Sequence, residues 1–277
     1  MKKKTKERIV KISSMIILLI GAAIMLLPFF WMISTSVKDL SDVFVYPPKL
    51  LGKTIKWMNY ADVLEQFDFL PMFWNTVKVT VGVLIIELIT STMAGYAFAC
   101  LRFKGKNILF LFYMISMMIP FHVMLVPTFE LLKNMGLLNS LWSLVWPVLT
   151  LPFGVFLMRQ FFGELPIELS ESAKLDGCTP WGIFTRIYLP LSKPSLATLS
   201  IFIFISTWND FLKPLIYLSD SKRNTLTLGI YLMNGSYSTN WPILMATCTL
   251  SLLPALILFL SMQDLFVEGI AMSGIKG

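Results

Sequence analysis

Few side chains in this 277-residue sequence are of a type that performs covalent or metal chemistry. His122 is the single histidine, and Cys100, Cys178 and Cys248 are odd in number and far apart, so neither a zinc site nor a disulfide framework is encoded. H-E-x-x-H and G-x-S-x-G do not occur. The nearest approach to a phosphate-cradling loop, Gly52-Lys53-Thr54, has Pro47 where the first glycine is required. An enzyme is therefore not expected. What remains is polar chemistry in apolar surroundings. Glu87 lies near the middle of a long apolar run, where a charge costs about 2.5–3.5 kcal/mol, so it needs a partner from another helix or a wet cavity. Lys78, nine positions earlier, falls on the opposite helical face and is not a simple partner. Asp210 and Lys213 are three apart, share a face and can pair with each other. Asn209 offers both donors and acceptors, which suits hydroxylated ligands, and Trp208 is able to stack on a ring or to anchor at a membrane interface.

The elements that must hold these residues are membrane helices. Apolar residues make up 56% of the chain and charged ones 14%, against about 25% charged in a soluble domain. Charge-free intervals separate Lys11 from Lys38, Lys106 from Glu130, Lys133 from Arg159 and Arg223 from Asp264, each long enough for the roughly 20 residues of a crossing. Two further apolar runs, interrupted by Lys78 and Glu87 and by Asp210 and Lys213, give six helices in all: about 12–33, 73–100, 107–129, 139–161, 195–218 and 244–266. The first is too long for a signal-peptide core and reads as a retained helix. An even number of crossings leaves both termini on one side, where fourteen basic residues lie against eight on the other, so the termini are expected in the cytoplasm. The net charge of +7 is concentrated in the basic segment 1–11 and reads as membrane orientation, not as nucleic-acid binding. Residues 12–277 form the membrane domain, and the polar stretch from Ser34 to Leu70 is a loop with one short surface helix.

The longest inner segment, 163–194, has internal order. Pro166 suits the first turn of a helix, Glu168 and Glu171 its positive end, and Lys174 its negative end. Gly177 stops that helix. Thr179 caps a second one that opens with Pro180, carries Trp181, Phe184 and Ile187 as its apolar stripe, and ends at Pro190. Ser172 and Ala173 are small, which would let another protein's surface approach the first helix closely. The residues alone leave open whether the loop docks on a partner or lies on the membrane surface.

This segment resembles the EAA loop of ATP-binding-cassette importer permeases, E-A-A-x-x-D-G followed by a spacer, an apolar helix and L-P. The matching residues are Glu171, Ser172, Ala173, Asp176, Gly177, Phe184, Ile187, Leu189 and Pro190. Ser172 and Cys178 stand where alanine is usual or common. Pro28 to Lys38, Asn75-Thr76, Ala94 to Phe98, Pro120, Pro127, Pro152-Phe153, Trp208-Asn209-Asp210-Phe211 and the tail from Phe266 to Gly277 are similar to the carbohydrate, maltose-type branch of that family. The resemblance implies an all-α membrane protein with the type I importer permease fold, six transmembrane helices and a cytoplasmic coupling loop. It implies half of a sugar transporter in a prokaryotic plasma (inner) membrane, with no cofactor of its own. A second permease subunit would complete the pathway, two ATP-binding-cassette ATPase subunits would use the ATP, and an extracytoplasmic solute-binding protein would deliver the sugar. Glu171, Ser172, Ala173, Asp176, Gly177 and Pro190 would couple to the ATPase: Glu171 by contact, Asp176 as a brace, Gly177 at the reversal. Trp208, Asn209, Asp210 and Glu87 are candidates for the translocation path. The competing class is an ion-coupled secondary transporter with Glu87 or Asp210 as a proton relay.

Overall fold

The computed structural model describes residues 2–149, 151–234 and 239–274. Among the described residues there are helices and turns and no strand. They fall into two compact units, one of residues 1–69 with 232–252, the other of residues 70–231 with 253–277.

In the first unit α1 spans Lys2–Ser36. It starts well before residue 12 because lysine, arginine and glutamate are good helix formers and extend the apolar run backwards. A 3-10 turn follows at Leu40–Asp42, and α2 (Met58–Gln66) is the short helix expected in the polar stretch. A lysine braces the connection. Lys38 is 1% exposed. Its Nζ donates to Lys49 O at 2.7 Å and lies 4.5 Å from the centre of the Trp31 ring. Burial pushes its pKa down, and the nearby Asp42 carboxylate opposes that shift. Asn59 Nδ2 donates to Ser36 O (2.8 Å) and Lys38 O (2.9 Å), and Lys56 N donates to Val37 O at 2.8 Å. Carbonyls left over at the end of α1 are thus satisfied from the following segment.

In the second unit the long helix is α3 (Phe69–Cys100). The expected third span is broken at Pro120. α4 (Lys106–Ile115) runs through a 3-10 turn (Ser116–Met118), and α5 (Phe121–Asn134) leaves it at a bend of 100°. The cause is local: Ile119 precedes Pro120 and is forced into extended backbone, φ −79° and ψ 114°, which ends the helix. The fourth span is interrupted as well. α6 (Trp142–Val145) passes into a 3-10 turn containing Pro147, and α7 (Pro152–Glu164) restarts at a proline suited to a first turn. α8 (Glu168–Leu175) and a second short helix, Pro180–Leu191, make up the loop region. That second helix consists of α9 (Pro180–Ile183), a π turn (Phe184–Tyr188) and α10 (Leu189–Leu191). The fifth span divides into α11 (Lys193–Trp208) and α12 (Leu212–Tyr217) around Asn209. A helix not anticipated, α13 (Leu226–Met233), precedes α14 (Trp241–Gly274). Of the expected tail motif, residues 275–277 lie outside the described residues. Among the described residues three helices are long and apolar enough to cross a bilayer, and three bent pairs raise the count to six if each crosses once.

α3 and α7 meet at small residues. A Cβ on Gly95 would fall 2.6 Å from Met158 Cβ and 2.9 Å from Arg159 N, and one on Gly154 would fall 3.0 Å from Ser91 Cβ. Such close approach is how membrane helices gain dispersion contacts without a hydrophobic driving force. The core around this contact includes Val83, Leu144, Met158, Leu199 and Ile203. Asn75 and Thr76 pin the segment after α12 to α3: Asn75 Nδ2 donates to Lys222 O (2.9 Å) and Asn224 O (3.0 Å), and Thr76 Oγ1 accepts from Leu226 N at 2.8 Å.

Candidate functional site

The segment 163–194 forms a knob whose inner side is fixed and whose outer side is free. Pro166 O accepts from Leu169 N (3.3 Å), so the proline opens a turn just ahead of α8. Glu168 and Glu171 occupy the first turn and Lys174 the last, matching the helix dipole. The exit is a Schellman motif. Cys178 N donates to Ala173 O (2.9 Å), Gly177 N donates to Lys174 O (3.0 Å), Asp176 is the C-cap and Gly177 takes φ +81°. Thr179 then caps the second helix, its hydroxyl accepting from Gly182 N at 3.2 Å, with Pro180 in the first turn. Two details differ from expectation. Pro190 does not end this helix, which runs to Leu191 and turns by 76° into α11. The wide π turn before Pro190 allows this, because Leu189 N donates to Phe184 O and the missing proline N–H falls after the longer bond. The second detail is the apolar stripe. Ile183, Phe184 and Tyr188 are buried while Trp181 is 60% exposed, since the π turn shifts the inward face away from a three-residue repeat.

The small residues of α8 face different ways. Ala173 is buried in the chain's own core cluster and Ser170 is buried beside it, so the smallness of Ala173 serves internal packing. Ser172 is exposed and its hydroxyl donates to Glu168 O at 2.9 Å. Glu171 and Asp176 are exposed, and the apolar Leu175 at the tip is 90% exposed.

An aromatic box fastens the knob to the long helices, and nothing in the sequence pattern disclosed it. Tyr96 of α3 meets Phe162 of α7 (6.1 Å between ring centres), Phe184 (5.1 Å) and Tyr188 (5.2 Å). Phe162 and Tyr188 close the ring at 5.7 Å. The Tyr96 hydroxyl donates to Pro180 O at 3.2 Å. Aromatic pairs at these separations each add about 0.5–1.5 kcal/mol beyond their buried area. The box ties the second loop helix to α3 and α7.

The residues suspected of lining a path cluster differently. Trp208 is 3% exposed, stacked on Phe204 (5.1 Å, 12° between planes) and edge-on to Phe73 (5.8 Å). Asn209 is exposed and its amide donates to Ile205 O at 2.9 Å. Asp210 pairs with Lys213 at 2.8 Å, and its other oxygen accepts from Lys213 N. Lys213 Nζ also lies 5.2 Å from the Phe121 ring centre. Glu87 is 2% exposed. Lys78 is exposed on the other face of α3. Asp210, Lys213, Thr76, Thr207 and Thr225 line a cavity of about 20 Å3, room for one water and nothing larger. The Thr225 hydroxyl is buried there without a protein partner, and a water would satisfy it. His122 contacts Phe121 edge-on (6.1 Å), and among the described residues no group of histidines, cysteines and carboxylates could hold a metal ion.

Residues 88–272 match the family model described as binding-protein-dependent transport system inner membrane component. The chain is 38% identical over 205 residues to the arabinooligosaccharides transport system permease protein AraQ of Halalkalibacterium halodurans, covering 74% of each. It is 34% identical to the sn-glycerol-3-phosphate transport system permease protein UgpE of Salmonella typhi, over 91% of this chain and 93% of that one. Its fold superposes with a TM-score of 0.84, at 24% identity, on a chain of a bacterial ABC transporter involved in import of the acidic polysaccharide alginate, covering 94% of this chain and 98% of the other. A knob-bearing helical chain that matches over most of its length leaves one assignment, a transport permease and not an enzyme: this protein belongs to the family of inner membrane components of binding-protein-dependent transport systems.

Proposed function

We propose that this permease is one of two membrane subunits of an ATP-driven sugar importer, forms half of the translocation path, and receives mechanical work through the 163–194 knob. The observation that carries this reading is the two-sidedness of the knob. Its outer face presents Glu171, Ser172 and the bare tip Leu175, while its inner face is locked by Ala173 and the aromatic box. In this reading α8 seats in a groove of a separate ATPase, one copy on each permease subunit. Glu171 makes the polar contact, Asp176 and Gly177 fix the reversal, and Pro190 marks the join to α11. ATP is consumed by that partner, consistent with the absence of a P-loop in this sequence. The termini and the knob lie in the cytoplasm of a prokaryotic cell, and an extracytoplasmic solute-binding protein delivers substrate to the other face. The relatives named for arabinooligosaccharides and sn-glycerol-3-phosphate support a polyhydroxylated solute as the substrate. Asn209, exposed and with an amide oxygen to offer, is the side chain best placed to meet one. Trp208, Asp210 and Glu87 bound the path from behind it as a packed, charged wall.

Co-reconstitution tests the reading. Vesicles holding this chain, a partner permease and the ATPase should accumulate sugar only with ATP and the binding protein. Accumulation by this chain alone, abolished by collapsing a proton gradient, would overturn it in favour of ion coupling. A second result concerns the reversal. Proline is fixed near φ −65° and has no N–H, so at position 177 it can neither adopt +81° nor donate to Lys174 O. Gly177→Pro should cut substrate-stimulated ATPase activity by about tenfold or more, with normal amounts of protein in the membrane. Gly177→Asn, which tolerates the left-handed region, should retain most of it.

A further inference from the structure

The carbonyl end of α3 is met by cations from other elements. Lys106 Nζ donates to Ala99 O (2.9 Å) and Leu101 O (3.0 Å). Arg159 Nε donates to Phe98 O (3.3 Å), and its guanidinium carbon lies 3.7 Å from the Phe110 ring centre. These contacts hold both cations in place and leave donors over, one N–H on the ammonium and the two terminal NH2 groups of the guanidinium. Among the described residues neither they nor Arg102 forms an ion pair. Arg159 and Arg102 both repel Lys106, so three cations stand at this corner with the Glu164 carboxylate beside them.

The cations open onto space. Lys106, Asn107, Arg159 and Gln160 line a cleft of about 330 Å3, and Lys106 and Asn107 also line a hollow of about 600 Å3 together with Arg102 and Phe103. Glu164 is the carboxylate lining the cleft, and it accepts from Gln160 Nε2 at 3.3 Å. α4 begins behind Gly105 with no side-chain cap, so its first N–H groups add to the positive potential. Immediately along α4, Ile108, Leu109 and Phe112 are exposed apolar residues. A fixed anion receptor bordered by an apolar helix face has the polarity of a phospholipid, charged at one end and aliphatic at the other.

We infer that this cleft, together with the adjoining hollow that shares Lys106 and Asn107 with it, binds the phosphate headgroup of an anionic phospholipid, whose acyl chains lie along α4. The cations clamp the phosphate, Asn107 and Gln160 supply neutral hydrogen bonds, and the bound lipid ties the α3–α4 corner to α7. The leaflet assignment rests on the inner-face orientation proposed above; occupancy itself does not.

The test uses the assembled transporter in nanodiscs of equal phosphatidylglycerol and phosphatidylcholine, followed by native mass spectrometry of the lipids retained. Phosphatidylglycerol should be retained preferentially. Arg159→Gln and Arg102→Gln should each reduce that retention about fivefold, the worth of one cation beside an anionic headgroup. Arg102 is exposed, so its substitution separates headgroup binding from folding. Equal retention of the two lipids, or retention unchanged in an Arg102→Gln, Lys106→Gln double variant, would overturn the site. Complete displacement by millimolar inorganic phosphate would also overturn it, as a receptor for soluble anions. Labelling of a Lys104→Cys variant, at an exposed position that lines neither space, from the outer side would overturn the orientation, while retention in the same sample still decides the site.

Discussion

Replacing Gly95 with leucine is expected to leave almost no assembled, active protein, and even Gly95→Ala should lower thermal stability measurably. The added Cβ would meet Met158 Cβ at 2.6 Å and the backbone nitrogen of Arg159 at 2.9 Å. Neither neighbour can yield by rotating, because one is a fully buried side chain at its root and the other is main chain in the middle of α7. α3 and α7 must therefore separate. Overpacking of this kind costs about 1–3 kcal/mol for a single methyl and more for a branched side chain. The displaced α7 also carries Phe162 away from the aromatic box, so the knob loses its register with the long helices. Gly163, in the same helix, provides the control: a Cβ there meets nothing within 4 Å, and Gly163→Ala should be silent. Thermal melts of the solubilised transporter and membrane abundance of each variant decide the matter. Gly95→Leu at wild-type abundance and melting temperature would refute the close packing.

Tyr96→Ala should separate ATP hydrolysis from transport. Tyr96 is 7% exposed and ringed by Phe162, Phe184 and Tyr188, and truncation leaves a cavity between α3 and the second loop helix. Removing a buried aromatic ring costs about 3–5 kcal/mol, large enough to free the knob from its mounting. The knob would still reach a partner through its outer face, so hydrolysis should persist while solute accumulation falls by tenfold or more. Tyr96→Phe keeps the ring and loses only the hydrogen bond to Pro180 O, about 0.5–1.5 kcal/mol, and should transport nearly normally. The ratio of solute moved to ATP consumed is the readout. A Tyr96→Ala transporter with an unchanged ratio would show that force passes by another route.

The legible parts of this chain were those written in local chemistry. The Thr179–Pro180 start, the Gly177 reversal and the Asp210–Lys213 pair each depend on residues within a few positions of one another, and each is found as read. Long apolar runs likewise gave α1, α3 and α14. Pro120, which has no N–H to donate, is the residue that marks the 100° bend, although charge spacing alone leaves a straight and a broken third helix alike. α13 was hidden for a similar reason, as an apolar stretch running toward the next one. The opposite orientations of Ser172 and Ala173 were beyond a motif that specifies size and not direction. The aromatic box joins residues as far apart as Tyr96 and Tyr188, and only tertiary packing brings them together.

Lys38 gives the first unit an unusual chemical fingerprint. Its amine is occupied and enclosed, whereas Lys49, Lys53 and Lys56 on the following stretch stand in the open. Amine-reactive reagents should therefore modify those three and spare Lys38. Trypsin should nick the chain after them and leave α1 ending in an uncut stump, a cleavage map that reports whether the segment has folded without any transport assay.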